Sequence, residues 1–231
     1  MSLVSPDRMI TPEQMDYLRS VDSPTLANAI EKFNVRDRCD GFIGGEVICQ
    51  FPDLGVMVGY ALTVTVSNQH GPVAGRDGFW KMFEMLDQMP KPAVLVMKDA
   101  SGAPHRVAYA GEVMATLAKR LGAVGMVTDG ALRDLPEVHA LGFHYFMRYP
   151  VVSHANFEIL DVGSPVEMNG ETIETGDILH GDANGIVVIP PQVVAGLPEA
   201  VDEVRERERR TMEFYRSDRF NLADAKAGQG Y

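Results

Sequence analysis

The sequence predicts a single α/β domain. Runs of β-branched, buried character at 56–66, 93–97 and 123–128 read as strands, and the segments between them carry helical periodicity. A chain of 231 residues that is 45% hydrophobic buries a substantial core within one domain.

Residues 1–10 read as a loose arm, and Pro12 to Arg19 as a short helix. Asp22 or Ser23 caps the next helix, Pro24 fits its first turn, and Leu26, Ile30 and Phe33 share an apolar face suited to packing on a sheet. Residues 36–55 are rich in glycine and charge, so they read as a loop with one brief strand at Val47-Ile48. The strand at 56–66 follows, and QHGPVAGRDG is the loop at its end. Phe79, Met82, Phe83, Leu86 and Met89 mark a helix that Pro90-Lys91-Pro92 stops before the strand at 93–97. Two strands joined through a helix suggest a crossover unit.

After the loop SGAPHRVAYAG, a helix runs from 112 to 121 with Val113, Leu117 and Leu121 on one face, and Gly122 ends it. The strand at 123–128 delivers DGALRD to its carboxyl end, where open α/β sheets place ligand groups. Residues 143–149 form a further strand. Asn169-Gly170 predicts a two-residue hairpin turn, and 182–185 a longer turn before GIVVIP, so the second half introduces antiparallel or mixed pairing. From Gln192 to about Phe214 the run VDEVRERERR marks a charged helix, and the GQGY tail reads as frayed.

With 21 Lys and Arg against 32 Asp and Glu, the net charge of −11 repels polyanions, so nucleic acid is not an expected partner. Cys39 and Cys49 are too few for a disulfide framework, and no stretch has the length of a membrane span or the form of an export signal. The expected location is cytoplasmic. The six histidines lack compact ligand spacing, which argues against structural zinc; His139 and His144, near the DGALRD segment, read as surface residues.

The chemistry concentrates in GEVMATLAKRLGAVGMVTDGALRD, residues 111–134. Its glycines and helix start can turn amide hydrogens toward an anion. Arg133 offers a planar fork for a carboxylate, and Asp134 a hard oxygen for a divalent ion. Glu112 reads either as a helix-start charge or as a functional carboxylate, and Asp129 either as a turn former or as a residue supporting the site.

Gly111-Glu112, the GAVG-V-DG pattern through Asp129-Gly130, and Arg133-Asp134 resemble the superfamily that contains 4-hydroxy-4-methyl-2-oxoglutarate aldolase and the protein regulator of ribonuclease E activity. GYALTVTV at 59–66, TGDILHGDANGIVVIP at 175–190 and the helix near Ser23 extend the likeness to roughly residues 20–210. The resemblance implies a three-layer swivelling β/β/α sandwich with a mixed central sheet, with residues 1–231 as one domain bearing a short N-terminal arm and a charged C-terminal helix. It also implies a class II, metal-dependent pyruvate aldolase: a lyase cleaving 4-hydroxy-2-oxo acids to pyruvate, at a site that can also support oxaloacetate decarboxylation. In that resemblance Asp134 anchors Mg²⁺ or another divalent cation such as Mn²⁺. Arg133 and the backbone around Gly111, Val113 and Met114 hold a small 2-oxo acid, and Glu112 belongs to the proton-transfer network. Homo-trimers or homo-hexamers with sites at subunit boundaries are implied as well. Ala110 departs from the pattern, standing where a tryptophan is common. A non-catalytic, ring-shaped, protein-binding regulator shares the same scaffold and is the alternative reading.

Overall fold

The computed structural model describes residues 3–73 and 75–228; residues 229–231 of the GQGY tail lie outside the described residues. In chain order the first half contains α1 (Pro12–Arg19), α2 (Ser23–Glu31), β1 (Phe42–Ile43), β2 (Ile48–Cys49), β3 (Met57–Asn68), α3 (Asp77–Gln88), β4 (Ala93–Asp99), α4 (Glu112–Arg120) and β5 (Ala123–Thr128). There follow β6 (Ala131–Leu132), α5 (Leu135–Ala140), β7 (His144–Met147), β8 (Tyr149–Pro150), β9 (Phe157–Val162), β10 (Val166–Met168), β11 (Glu171–Ile173), β12 (Ile178–Asp182), β13 (Gly185–Ile189), α6 (Leu197–Arg216) and α7 (Leu222–Ala227).

The main sheet has the order β1-β13-β12-β3-β4-β5-β7-β2 and is built on β3. Parallel pairing with β4 runs from Tyr60 to Val66. On its other edge β3 pairs antiparallel with β12 over Met57–Tyr60 and with β9 over Val64–Asn68. Side chains alternate across a strand. Tyr60, Leu62, Val64 and Val66 accordingly enter the core beneath the helices, whereas Met57 and Ala61 enter a second core with Val166, Met168 and Ile173 of the β10–β11 hairpin. Helices, mixed sheet and hairpin make the three layers of a β/β/α sandwich. The crossovers β3-α3-β4 and β4-α4-β5 keep β3, β4 and β5 parallel, so their carboxyl ends share one edge. Among the described residues no helix is long and apolar enough to cross a membrane.

Several elements differ from the sequence reading. The arm is docked: Val4 is buried, Arg8 donates to Asp177 at 2.9 Å and Glu174 at 2.6 Å, and the Ile10 amide donates to the Tyr60 hydroxyl at 3.0 Å. Residues 36–55 contain two brief strands, because Phe42-Ile43 finds β13 and Ile48-Cys49 finds β7. On α4 the buried stripe is Met114, Ala115 and Ala118, small enough to sit close on β5, and Val113 faces outward at 83% exposure. Asp182 pairs directly with Gly185, which shortens that turn to Ala183-Asn184. The Asn169-Gly170 turn forms as expected, with both residues at positive φ. α5 and β9 escape a pattern reading: α5 spans six residues and buries only Val138, and β9 mixes apolar and acidic residues, most of them half-buried, without a clean alternation. The charged helix α6 begins at Leu197, after a 3-10 segment at Pro191–Gly196.

His180 ties the α1–α2 junction to the β12–β13 hairpin. Its Nε2 lies 3.0 Å from the Leu18 carbonyl and 2.9 Å from that of Val21, and its Nδ1 lies 2.9 Å from Ser23 Oγ. Carbonyls only accept, so Nε2 carries the proton and the Ser23 hydroxyl donates to Nδ1. Burial pushes His180, and likewise His144, below the usual histidine range. A depressed folded-state value means that the unfolded chain binds protons more readily. The associated stability is therefore present above about pH 6.5 and lost as pH falls below it. Urea unfolding should show this loss between pH 7.5 and 5.5. His180→Ala should cost about 1–3 kcal/mol at pH 7.5 and leave a shallower acid dependence, carried by His144. An acid dependence as steep as in the unmodified protein would contradict the assignment.

Candidate active site

The two ends of the 111–134 segment meet through a short parallel ladder at the carboxyl edge of the sheet. The Tyr109 amide donates to the Ala131 carbonyl at 2.9 Å, and the Arg133 amide to the Ala110 carbonyl at 3.0 Å. Gly111-Glu112 is thereby set beside Arg133-Asp134. On the far side of β6, the Val151 amide donates to the Leu132 carbonyl at 3.1 Å, which brings the 151–156 loop into the same corner.

Asp134 precedes α5 in left-handed backbone geometry (φ 60°, ψ 44°), uncommon for a side chain larger than hydrogen. This turn aims its carboxylate back at α4: Oδ2 accepts from the Glu112 amide at 2.9 Å and lies 3.7 Å from Arg133 Nε. One unpaired donor of the α4 start is thus satisfied, and the amides of Val113 and Met114 in the same first turn remain oriented for an anion. The Arg133 Nη1 donates to the Val152 carbonyl at 3.2 Å, so its guanidinium is fixed from two sides. A Cβ on Gly111 would overlap Asp134 Oδ2 and press on Arg133, which explains glycine there by close approach.

These groups border a cavity of about 360 Å³, room for a small organic acid. Gly111, Val113, Met114, Arg133 and Asp134 line one side; Arg76, Phe79, His154 and Phe157 line the other. Arg76 sits 5.8 Å from the Phe79 ring and adds a second guanidinium. Burial raises the Tyr145 phenol, the Asp134 charge raises it further, and Arg133 opposes that effect, so the field of the pair reaches into the core.

Of the residues singled out from sequence, Arg133, Asp134, Gly111, Val113 and Met114 come together. Glu112 contributes its backbone to Asp134 while its side chain is exposed. Asp129 is buried outside the cavity wall, where it accepts from Lys98 Nζ at 2.6 Å and from the Asp99 amide at 2.7 Å. Asp99 in turn accepts from the Tyr109 hydroxyl, so Asp129 supports a cavity wall at one remove. Sequence reasoning gave no role to Arg76, in a glycine-rich loop without a nucleotide motif, or to His154, whose loop reaches the cavity through contacts with distant segments.

A divalent cation can be weighed against these donors. Among the described residues no group of three or more His, Cys, Asp or Glu side chains converges, which does not suit a zinc cage. Mg²⁺ keeps several waters and is commonly bound through one or two carboxylates plus substrate oxygens. Asp134 lines the cavity and commits one oxygen to the Glu112 amide, which fits an ion held in that open manner.

The β/β/α sandwich with a mixed central sheet is the architecture of the RraA-like class. The chain belongs to the RraA-like family: the Aldolase/RraA family model matches residues 23–188. A Halalkalibacterium halodurans protein named "Putative 4-hydroxy-4-methyl-2-oxoglutarate aldolase" is 33% identical over 142 residues, which cover 58% of this chain and just under two thirds (66%) of that protein. An uncharacterized Methanocaldococcus jannaschii protein is 26% identical over 191 residues, covering 80% and 86%. The crystal structure of an uncharacterized Pseudomonas syringae protein superposes with a TM-score of 0.73 at 26% identity, covering 95% of each chain. Streptomyces coelicolor RraAS2, described as an unusual member of the RNase ES inhibitor RraA family, shares the fold with a TM-score of 0.71 at 23% identity, covering 89% of this chain and all of that one.

The contact between Gly111 and Asp134 predicts a specific coupling. Gly111→Ala should destabilise the protein by about 1–3 kcal/mol, the usual effect of overpacking. In an Asp134→Ala background the same change should cost less, because the overlapping oxygen is gone. Urea titrations of the four proteins in the cycle read the coupling directly, and strictly additive effects would contradict the contact.

Proposed function

We propose that this protein is a divalent-metal-dependent lyase that cleaves 4-hydroxy-2-oxo acids to release pyruvate and also decarboxylates oxaloacetate. The observation carrying this reading is that the Arg133 guanidinium, the Asp134 carboxylate and the first-turn amides of α4 face one cavity of small-acid size. In both reactions a bond to C3 of a 2-oxo acid breaks and leaves a pyruvate enolate.

Arg133 binds the substrate carboxylate and stays beside the oxygen that gains charge as the bond breaks. The amides of Val113 and Met114 hold the same end of the acid, with Gly111 letting the Asp134 carboxylate come close beside them. Asp134 is the residue that would hold Mg²⁺ or Mn²⁺. When bound, such an ion supplies a Lewis acid that polarises the keto group and offsets enolate charge. Glu112, exposed at the α4 start, joins the proton-transfer network through water, and Asp129 keeps the Tyr109 wall in place. The working assembly is a trimer or a pair of trimers, in keeping with the family and with exposed apolar side chains such as Val73, Val113 and Val152 near the cavity.

Chelator-stripped protein supplied with Mg²⁺ or Mn²⁺ should release pyruvate from 4-hydroxy-4-methyl-2-oxoglutarate or oxaloacetate. Asp134→Ala should lose that metal-restored turnover, and Arg133→Ala should lower kcat/KM by about 10²–10³-fold, the scale of one charge-stabilising donor. Metal-independent turnover, or full activity in either folded variant, would contradict the reading. Silence across the substrate panel would favour the protein-binding regulator. Light scattering should give three or six copies per particle, and a persistent monomer would contradict the assembly.

A further inference from the structure

Resting on this reading of the cavity, we propose that His154 is the catalytic base that takes the proton of the substrate's C4 hydroxyl. His154 is an exposed residue on the lining of the same cavity as Arg133 and Asp134, on a loop fixed at almost every residue. The Val152 carbonyl accepts from Arg133 Nη1 at 3.2 Å, and the Ser153 carbonyl accepts from the Ala108 amide at 2.8 Å. The Ala155 amide donates to Ser153 Oγ at 3.0 Å; the Asn156 amide donates to Asn68 Oδ1, and its Nδ2 to the Gly71 carbonyl, each at 3.0 Å. These bonds hold Ala155 at φ 44°, a costly conformation for alanine that persists where its surroundings over-determine it.

The tautomer follows from a single contact. His154 Nδ1 lies 2.7 Å from the Ala155 carbonyl, which only accepts, so Nδ1 carries the hydrogen and Nε2 of the neutral ring holds the lone pair. The other ionisable groups on the wall are cationic or already hydrogen-bonded. Arg76 and Arg133 are permanent cations, Tyr109 donates its hydroxyl to Asp99, and Glu158 accepts from Gln69 at 2.9 Å. Asp134 is bound to the Glu112 amide and serves the ion. The step balances: the C4 hydroxyl proton passes to Nε2, C4–O becomes a carbonyl, and the C3–C4 electron pair remains on C3 as the enolate. Solvent protonates C3 to give pyruvate, and His154 returns its proton to solvent.

Oxaloacetate has no C4 hydroxyl proton, which separates this role from a purely structural one. His154→Gln and His154→Ala should lower kcat/KM for 4-hydroxy-4-methyl-2-oxoglutarate by about 10²–10³-fold, the scale of general-base catalysis. That fall should exceed the fall in oxaloacetate decarboxylation at least tenfold. The acid limb of the aldol kcat/KM profile should vanish in both variants, and added imidazole should restore part of the rate to His154→Ala. Equal losses on the two substrates, or an aldol profile that keeps its acid limb, would overturn the role of His154 while leaving the lyase standing. An unmodified protein inactive on both acids would remove the lyase and this role together.

Discussion

One carboxylate oxygen joins the two halves of the candidate site. Asp134 Oδ2 accepts the Glu112 amide at 2.9 Å across 22 residues of sequence and stands 3.7 Å from Arg133 Nε. The left-handed turn at Asp134 makes this possible, and the close approach leaves no space for a side chain at Gly111. The Tyr109–Ala131 and Arg133–Ala110 backbone bonds set the α4 start beside the β6–α5 junction, and this bond ties the Asp134 side chain across it. With it, a guanidinium, a carboxylate and a row of unpaired amides share one wall.

The fold supplies the rest of the enclosure. Parallel pairing of β3, β4 and β5 brings the loop before α3, the segment before α4 and the Arg133-Asp134 turn to one edge of the sheet. β9 pairs with the end of β3 and carries the opposite wall into position, with Phe157 at its first residue. Arg133 and Asp134 on one wall thus face Arg76 and His154 on the other, with Phe79 and Phe157 supplying the apolar part of the enclosure.

Much of this was legible in the sequence, for reasons that differ by element. The long β3, the α3 and α4 helices and the Asn169-Gly170 hairpin announce themselves through periodicity, proline stops and turn chemistry. Arg133-Asp134 was legible as a pair after a strand, and its tie to Gly111-Glu112 came from family resemblance. The far wall was not legible. β9 mixes apolar and acidic residues without a clean alternation, and the loop of His154 gains its place through contacts of Ser153, Val152 and Asn156 with Ala108, Arg133 and Asn68, residues distant in the sequence. Val113 shows the limit of spacing arguments, since the 113–117–121 stripe lies beside the face that α4 buries.

In the proposed function Arg133 and Asp134 form one receptor for a 2-oxo acid and a divalent ion. Oxalate is a planar dianion shaped like the pyruvate enolate and undergoes no cleavage, so its binding isolates the receptor from turnover. Calorimetric titration of oxalate into the protein with and without Mg²⁺ tests the claim most directly. The account predicts saturable binding that depends on Mg²⁺ and is lost in Asp134→Ala. Binding of equal strength without the ion, or undiminished in that variant, would contradict it.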